Sequence, residues 1–333
     1  MSKDYSNKNV SILNVGNVLV DIEISITEEQ LSEIPITKGR AIEINSNELD
    51  LYLSKYKSQI TNQYLGGSIF TTAATSSIFR IKNLFLGSIG KDKNSKFLMD
   101  IMNTYPIETF LNISSLNTGC CLIFLTPDKE RTMAACPGAS SKISLTKFKD
   151  SEHVDFIFSD LYSLNSDMNK NAISHLLSTK KKLILSLSDI SVMKKHKDFI
   201  KKYFDHIEII AGNEDEMRYL EESMNFSLIS SSVKNNKLYV VTKGSEGSII
   251  FYQGKEYISK AIPTEVRSLN GAGDTFLGAF IGCYMETKDI QYSSDIANFF
   301  SHVSVQQNDA CLNLSDLLNT NIAAKAAFCL LYT

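Results

Sequence analysis

The chain lacks the spacings that metal and disulfide frameworks need. Its six cysteines, at 120, 121, 136, 283, 311 and 329, form no CxxC pair, and its five histidines are scattered. A disulfide scaffold or structural zinc site does not fit, and a reduced interior is the simpler account. Basic excess is missing too: 34 Lys and Arg face 37 Asp and Glu, a net charge of −3. Neither nucleic acid nor an anionic membrane is an expected partner of such a surface. Long apolar runs are absent, the longest being Phe276–Met285, about half of what a bilayer span requires. The opening MSKDYSNKNV has no apolar stretch of the kind a secretory signal carries. These absences lead to the expectation of a soluble, cytoplasmic protein. With 5 prolines, 16 glycines and 43% hydrophobic residues, the composition is far from that of disorder and can fill a sizeable core.

A length of 333 residues suits two domains or one large α/β domain. Short apolar runs at Val10–Val15, Leu84–Ile89, Val154–Phe158, Leu183–Leu187, Ile207–Ala211 and Leu238–Thr242 read as strands. Between them, Ser68–Phe79, Ser95–Asn103, Asn171–Ser178, Val192–Phe204 and Glu214–Met224 read as helices. In the fourth, Val192, His196, Phe199, Ile200 and Tyr203 share one face, with lysines opposite. Alternation of this kind predicts a doubly wound, mostly parallel sheet with helices on both faces. Two stretches break it, from about Val18 to Ile44 and from about Thr118 to Ala135, and both read as β-hairpins without a helix. Together they predict a small β lid over the carboxyl edge of the main sheet, within one domain spanning 1–333. Ser230–Ser232 reads as a surface loop. The lysine runs at 180–182 and 194–202 read as solvated helix faces, and His302 and the cysteines as packing residues.

The segment richest in chemistry is Asn270–Phe280, NGAGDTFLGAF. Gly271, Ala272 and Gly273 precede an apolar helix, where small residues and the helix dipole aim N–H groups at an anion. Such a hole suits the charge that develops on a transferring phosphoryl group, and Asp274 at its mouth is placed to accept a proton from an attacking hydroxyl. Taken alone, the same four residues are also an ordinary glycine-rich helix cap with a dipole-stabilising Asp.

NGAGDTFLGAF closely resembles the C-terminal signature of the ribokinase-like (PfkB) sugar and nucleoside kinases. Tyr64-Leu65-Gly66-Gly67-Ser68 resembles their N-terminal signature, and Gly16-Asn17-Val18-Leu19-Val20-Asp21 an earlier family segment. Gly119 through Met133, with TPDKERTM, Asn213-Glu214-Asp215-Glu216 and Val241 through Gly247 resemble others, in the family's order. The resemblance implies an ATP-dependent kinase acting on a small sugar or nucleoside, with Asp274 as base, Gly271, Ala272 and Gly273 as the anion hole and Arg131 as phosphate clamp. It implies substrate contacts from Asn17, Asp21, Gly66, Gly67 and Thr71, and nucleotide contacts from Asn213, Thr242, Gly244, Gly247 and Asn270. Glu216 would serve Mg²⁺, mostly through water. On the residues alone, Asp21 is equally a turn residue, Gly66-Gly67 a tight turn, Asn213 with Glu216 an N-cap pattern, and Arg131 a solvated charge. A monomer, or a homodimer through the lid, is the expected assembly.

Three departures from the family pattern stand out. Thr71 occupies a position that usually holds a sugar-binding Asn, with Ile69 and Phe70 adding bulk before it. Ser268-Leu269 replace an Asp-Thr whose Asp commonly helps hold a monovalent cation. The helix on the adenine side usually ends in Gly-Ala, and here reads Gln306-Gln307-Asn308-Asp309-Ala310. GNVLVDIE, the TPDKERTM stretch and NGAGD look most like the adenosine-kinase-like branch. If Ile69 and Phe70 face the ligand, they favour an aromatic base over a small sugar. A fructokinase or ketodeoxygluconokinase specificity comes next, and a catalytically weak sensor of the same fold is the reading from another class.

Overall fold

The computed structural model describes residues 10–128, 130–148, 153–307 and 310–329, with side chains to 327. Residues 1–9 of the opening segment, Lys129, Asn308, Asp309 and the side chain of Cys329 lie outside them. The strands belong to two sheets. In the larger, nine strands run in the order Lys255–Ser259, Ser248–Tyr252, Leu238–Thr242, Ile207–Asn213, Lys182–Ser186, Phe156–Asp160, Ser11–Val15, Lys82–Ile89 and Ile107–Ile113. The seven from Leu238–Thr242 to Ile107–Ile113 are parallel, and the two at the other edge pair antiparallel. Side chains alternate between two covered faces, as a parallel sheet requires. Ile12 joins the core formed with helices Ser68–Ser76, Ala272–Thr287 and Ile290–Ser304. Leu13 and Val15 join the opposite core, formed with Asp167–Ser178, Lys197–Tyr203 and Glu214–Met224. The expected doubly wound architecture is what the chain adopts.

A second sheet holds Ala41–Glu43, Arg131–Gly138, Thr118–Leu125, Leu19–Ser25 and Ile60–Gly66, in that order. Both irregular stretches contribute to it, but the first differs from the expected hairpin. Leu19–Ser25 lies between Ile60–Gly66, antiparallel, and Thr118–Leu125, parallel, while Ala41–Glu43 crosses to the far edge. The reason is a helix, Glu28–Ser32, that turns the chain: Thr27 and Gln30 form a reciprocal capping box at its start. The second stretch is a true hairpin, Thr118–Leu125 against Arg131–Gly138. At its turn Asp128 Oδ1 accepts from Thr126 Oγ1 at 2.7 Å and from the Glu130 N–H at 3.1 Å.

Three further local readings are corrected. The helix read over Val192–Phe204 breaks at His196, between Ile190–Lys195 and Lys197–Tyr203, although its five face residues are all buried. Ser230–Ser232 belong to helix Leu228–Lys234, and buried Ser231 exchanges a 2.6 Å hydrogen bond with Tyr239. Ile69 and Phe70 do not face a ligand: both are fully buried against the large sheet. Phe70 packs edge-on to Phe85 and Tyr105, with centroids 5.2 and 5.7 Å away. Their bulk therefore serves the core. Phe70→Ala is expected to lower unfolding free energy by about 3–5 kcal/mol in a urea titration, as large-to-small core changes do.

Candidate active site

In an open parallel sheet, neighbouring strands whose connections leave in opposite directions open a crevice at their carboxyl ends. Here that point lies between Ser11–Val15 and Phe156–Asp160. A cavity of about 640 Å³ occupies it, walled by strand ends of the large sheet and by one face of the small one. Asn17, Asp21, Gly67 and Thr71 line it, as do Asn213, Glu216, Thr242, Asn270, Gly271, Gly273 and Asp274. Gly66, Ala272, Arg131, Gly244 and Gly247 stand outside that lining. Gly244 and Gly247 shape the turn after Leu238–Thr242, where the Gly247 N–H donates to the Gly244 carbonyl at 3.1 Å.

Asp274 owes its place to two helices in contact. Gly67, at φ 106° with the Asn17 carbonyl 2.5 Å from where a Cβ would stand, opens Ser68–Ser76. Helix Ala272–Thr287 starts after Gly271, at φ 70°. Thr72 Oγ1 donates to the Asp274 carbonyl at 3.2 Å, tying the helix starts together. At Gly278 a Cβ would come within 2.5 Å of the Thr72 carbonyl, so the third glycine of the motif permits the crossing. The first N–H groups of a helix have no carbonyl partner within it, and that of Ala272 makes only a 3.4 Å bond to Leu269 O. This turn offers donors to an anion.

Carboxylates crowd the cavity. Burial pushes Asp274 up to about 7, nearby Asp160 adds to the rise, and a hydrogen bond from Ser68 opposes it. Burial also lifts Asp21 to about 7, against a hydrogen bond from Asn270 and the charge of Arg131. A Cβ at Gly66 would collide with the Asp21 carboxylate and force it to turn away. Glu216 rises to about 7 through burial. Its Oε2 accepts the Asn213 N–H at 3.0 Å and its Oε1 the Asn213 amide at 2.8 Å, while Asn213 Oδ1 accepts the Glu216 N–H at 2.9 Å. The pair is a capping box that also faces the cavity. Asn17 lines the cavity, and its Oδ1 is buried without a hydrogen-bond partner among the described residues. Arg131 donates from Nη2 to Ser268 Oγ at 2.6 Å.

Two polar residues escaped the sequence reading. Asp160 ends a central strand, lines the cavity and accepts the Ser163 N–H at 2.8 Å; burial raises its pKa. Asp21, by contrast, lies inside Leu19–Ser25, opposite Tyr64, and not in a turn. Ser68, beside Gly67, reaches Asp274.

The sequence model of the pfkB family carbohydrate kinases matches residues 39–317. An adenosine kinase of Dictyostelium discoideum is 23% identical over 336 residues, covering 92% of this chain and 98% of its own. A 5-dehydro-2-deoxygluconokinase of Clostridium botulinum (strain Alaska E43 / Type E3) is 27% identical over 282 residues, covering 77% of this chain and 82% of its own. The crystal structure of an adenosine kinase from Sinorhizobium meliloti superposes with a TM-score of 0.83 at 20% identity, over 96% of this chain and 99% of that one. A glycine turn beside a buried carboxylate, at a sheet's switch point, suits transfer of an anionic group to a small hydroxyl compound. The chain belongs to the pfkB family of carbohydrate kinases. It is a phosphotransferase with an alcohol group as acceptor, of the nucleoside and sugar kinase kind. Among the described residues no helix is long and apolar enough to cross a membrane.

Two outcomes test this geometry. A Cβ at Gly271 would collide with the Ala310 carbonyl, whereas one at Gly273 meets nothing within 4 Å. Gly271→Ala should therefore cost more than about 1 kcal/mol through strain at positive φ, while Gly273→Ala keeps or slightly raises the melting temperature. The second concerns pH. Asp21, Glu216 and Asp274 keep their protons in the folded chain up to about pH 7, against ordinary values of 3.8, 4.5 and 3.8. Unfolding then releases protons in that window, so the stability of the ligand-free protein falls from about pH 4 to about pH 7 and levels off above. Asp274→Asn removes one such group, and urea unfolding at pH 8 should find it more stable than the parent.

Proposed function

We propose that the protein transfers the γ-phosphoryl group of ATP to a primary hydroxyl of a nucleoside, with an adenosine-like substrate favoured. The observation that carries this reading is Asp274, a carboxylate at a helix start directly after the Gly271–Gly273 turn, in the cavity that also holds Asp21. Asp274 takes the proton of the attacking hydroxyl. The N–H groups of the turn meet the charge on the moving phosphoryl group, and Arg131 closes on it from the small sheet. Asp21 and Asn17 Oδ1 accept from sugar hydroxyls, with Gly66, Gly67 and Thr71 shaping that end. Asn213, Thr242 and Asn270 serve the nucleotide, with Gly244 and Gly247 forming the turn beside it. In this reading the chain is one domain and the small sheet its lid, in a cytoplasmic setting.

The residues suit Mg²⁺. Asp160 and Glu216 both raise the proton affinity of Asp274, so a divalent cation would relieve that crowding. Among the described residues no three ligating side chains form a closed cage. Magnesium keeps several waters and takes ligands from substrate phosphates, so an open carboxylate flank is enough. Bound beside Glu216, it would neutralise nucleotide phosphates.

Substrate preference rests on the small-sheet wall, where Leu19, Ile42, Cys121, Met133 and Ala135 offer an apolar slot to a flat base. The adenosine kinase named above also matches more of this chain than the 5-dehydro-2-deoxygluconokinase, 92% against 77%. A sugar kinase remains the second reading, favoured by the higher identity to that enzyme, 27% against 23%. Phosphoryl transfer from ATP with Mg²⁺ across adenosine, fructose and other sugars decides between them. Adenosine should be preferred, and Asp274→Asn should lose about 10²–10⁴-fold in turnover with nucleotide binding kept. Preference for fructose overturns the nucleoside reading, and ligand binding without turnover makes the protein a sensor.

A further inference from the structure

Ser268 carries a contact with consequences for the phosphoryl-transfer end of the cavity. Its hydroxyl oxygen accepts from Arg131 Nη2 at 2.6 Å and from the Asn270 N–H at 3.2 Å. Two acceptances use both lone pairs of the oxygen. The backbone of the same residue is fixed from behind: the N–H groups of Arg267 and Ser268 both donate to the Val305 carbonyl, at 2.8 and 3.1 Å. One hydroxyl therefore joins the first residue of the small-sheet strand Arg131–Gly138 to the segment that enters the Gly271–Gly273 turn. The two residues are 137 positions apart in the chain.

Without this bond the guanidinium has competing attractions. Glu23, Asp21 and Glu130 all act on its charge, and burial disfavours it. Left to these carboxylates, a long arginine side chain would settle toward the small sheet. Ser268 is a neutral acceptor, so it holds Arg131 at the turn without cancelling its charge. Among the described residues no other side-chain hydrogen bond takes a guanidinium donor of Arg131. The rest of its five-donor fork stays open to phosphate oxygens.

We propose that Ser268 is a positioning residue, whose hydroxyl docks Arg131 beside the Gly271–Gly273 turn so that the guanidinium meets the phosphoryl group in flight. The proposal rests on the kinase reading above and on Arg131 as its phosphate clamp. An interaction realised only in transfer affects kcat rather than KM.

The test is a double-mutant cycle with steady-state kinetics on the best acceptor of the panel, using Ser268→Ala, Ser268→Thr, Arg131→Gln and the Ala–Gln double variant. Ser268→Ala is expected to lower kcat about 10-fold, within the range that misplacing a reacting group costs, with both KM values nearly unchanged. Ser268→Thr, which keeps the hydroxyl, should retain most of the parental kcat. In the Arg131→Gln background Ser268→Ala should add nothing, because the two act as one unit. Full kcat in Ser268→Ala, or an equal loss with and without Arg131, overturns the proposal. Full kcat in Arg131→Gln overturns the clamp reading itself, which separates that failure from failure of the positioning role.

Discussion

The close crossing of helices Ser68–Ser76 and Ala272–Thr287 is the contact on which the cavity depends. Two helix axes normally lie 8–10 Å apart, at a distance set by the side chains between them. Gly278 removes that spacer opposite Thr72. The helices then begin at one place, the Thr72 hydroxyl binds the Asp274 carbonyl, and Ser68 comes within reach of the Asp274 carboxylate. Gly67 and Gly271 serve the same end, since each admits a carbonyl where any other residue would carry a Cβ. A motif that reads as an anion hole is thus equally a packing device.

The cost of the arrangement is electrostatic. Asp21, Asp160, Glu216 and Asp274 share a partly dry cavity, and burial is the largest influence on each. A chain selected only for stability would replace such groups with apolar ones, because unpaired buried charge is expensive. Retaining them makes sense where ligands bring the missing hydrogen-bond donors and positive charge. The unpartnered Asn17 Oδ1 points to the same need for donors.

How far these features were legible depends on how local their causes are. Leu238–Thr242 and Glu214–Met224 stand in the fold as read, the first a continuous apolar run, the second an amphipathic helix with Asn213 as its cap. Ile60–Gly66 was invisible because its first four residues face solvent and give no apolar alternation. The helix at Glu28–Ser32 had a readable signal in Thr27 and Gln30, overlooked in so short an element. Asp274 could be singled out because the glycines before it mark, in the sequence itself, a turn that only such permissive residues make easily. Asp160 could not, since its surroundings come from elements far away in the chain. Ile69 and Phe70 follow Gly66-Gly67 in a helix whose every face is buried, so periodicity could not separate cavity from core.

The backbone of the small sheet enters the body of the molecule at one end. Leu19 stands abreast of Gly66, and Thr118 abreast of Gly138, and from these ends the chain passes into the body of the molecule. The opposite end carries Leu125 abreast of Arg131. At about 3.4 Å per residue, the strand from Gly138 to Arg131 is a lever arm of roughly 24 Å. A tilt of only a few degrees about its root displaces the Arg131 backbone by about 2 Å, while Asp21, near the root, hardly moves. For the proposed kinase, the 2.6 Å bond from Arg131 to Ser268 therefore fixes the far end of this arm, and with it the angle of the whole sheet over the cavity.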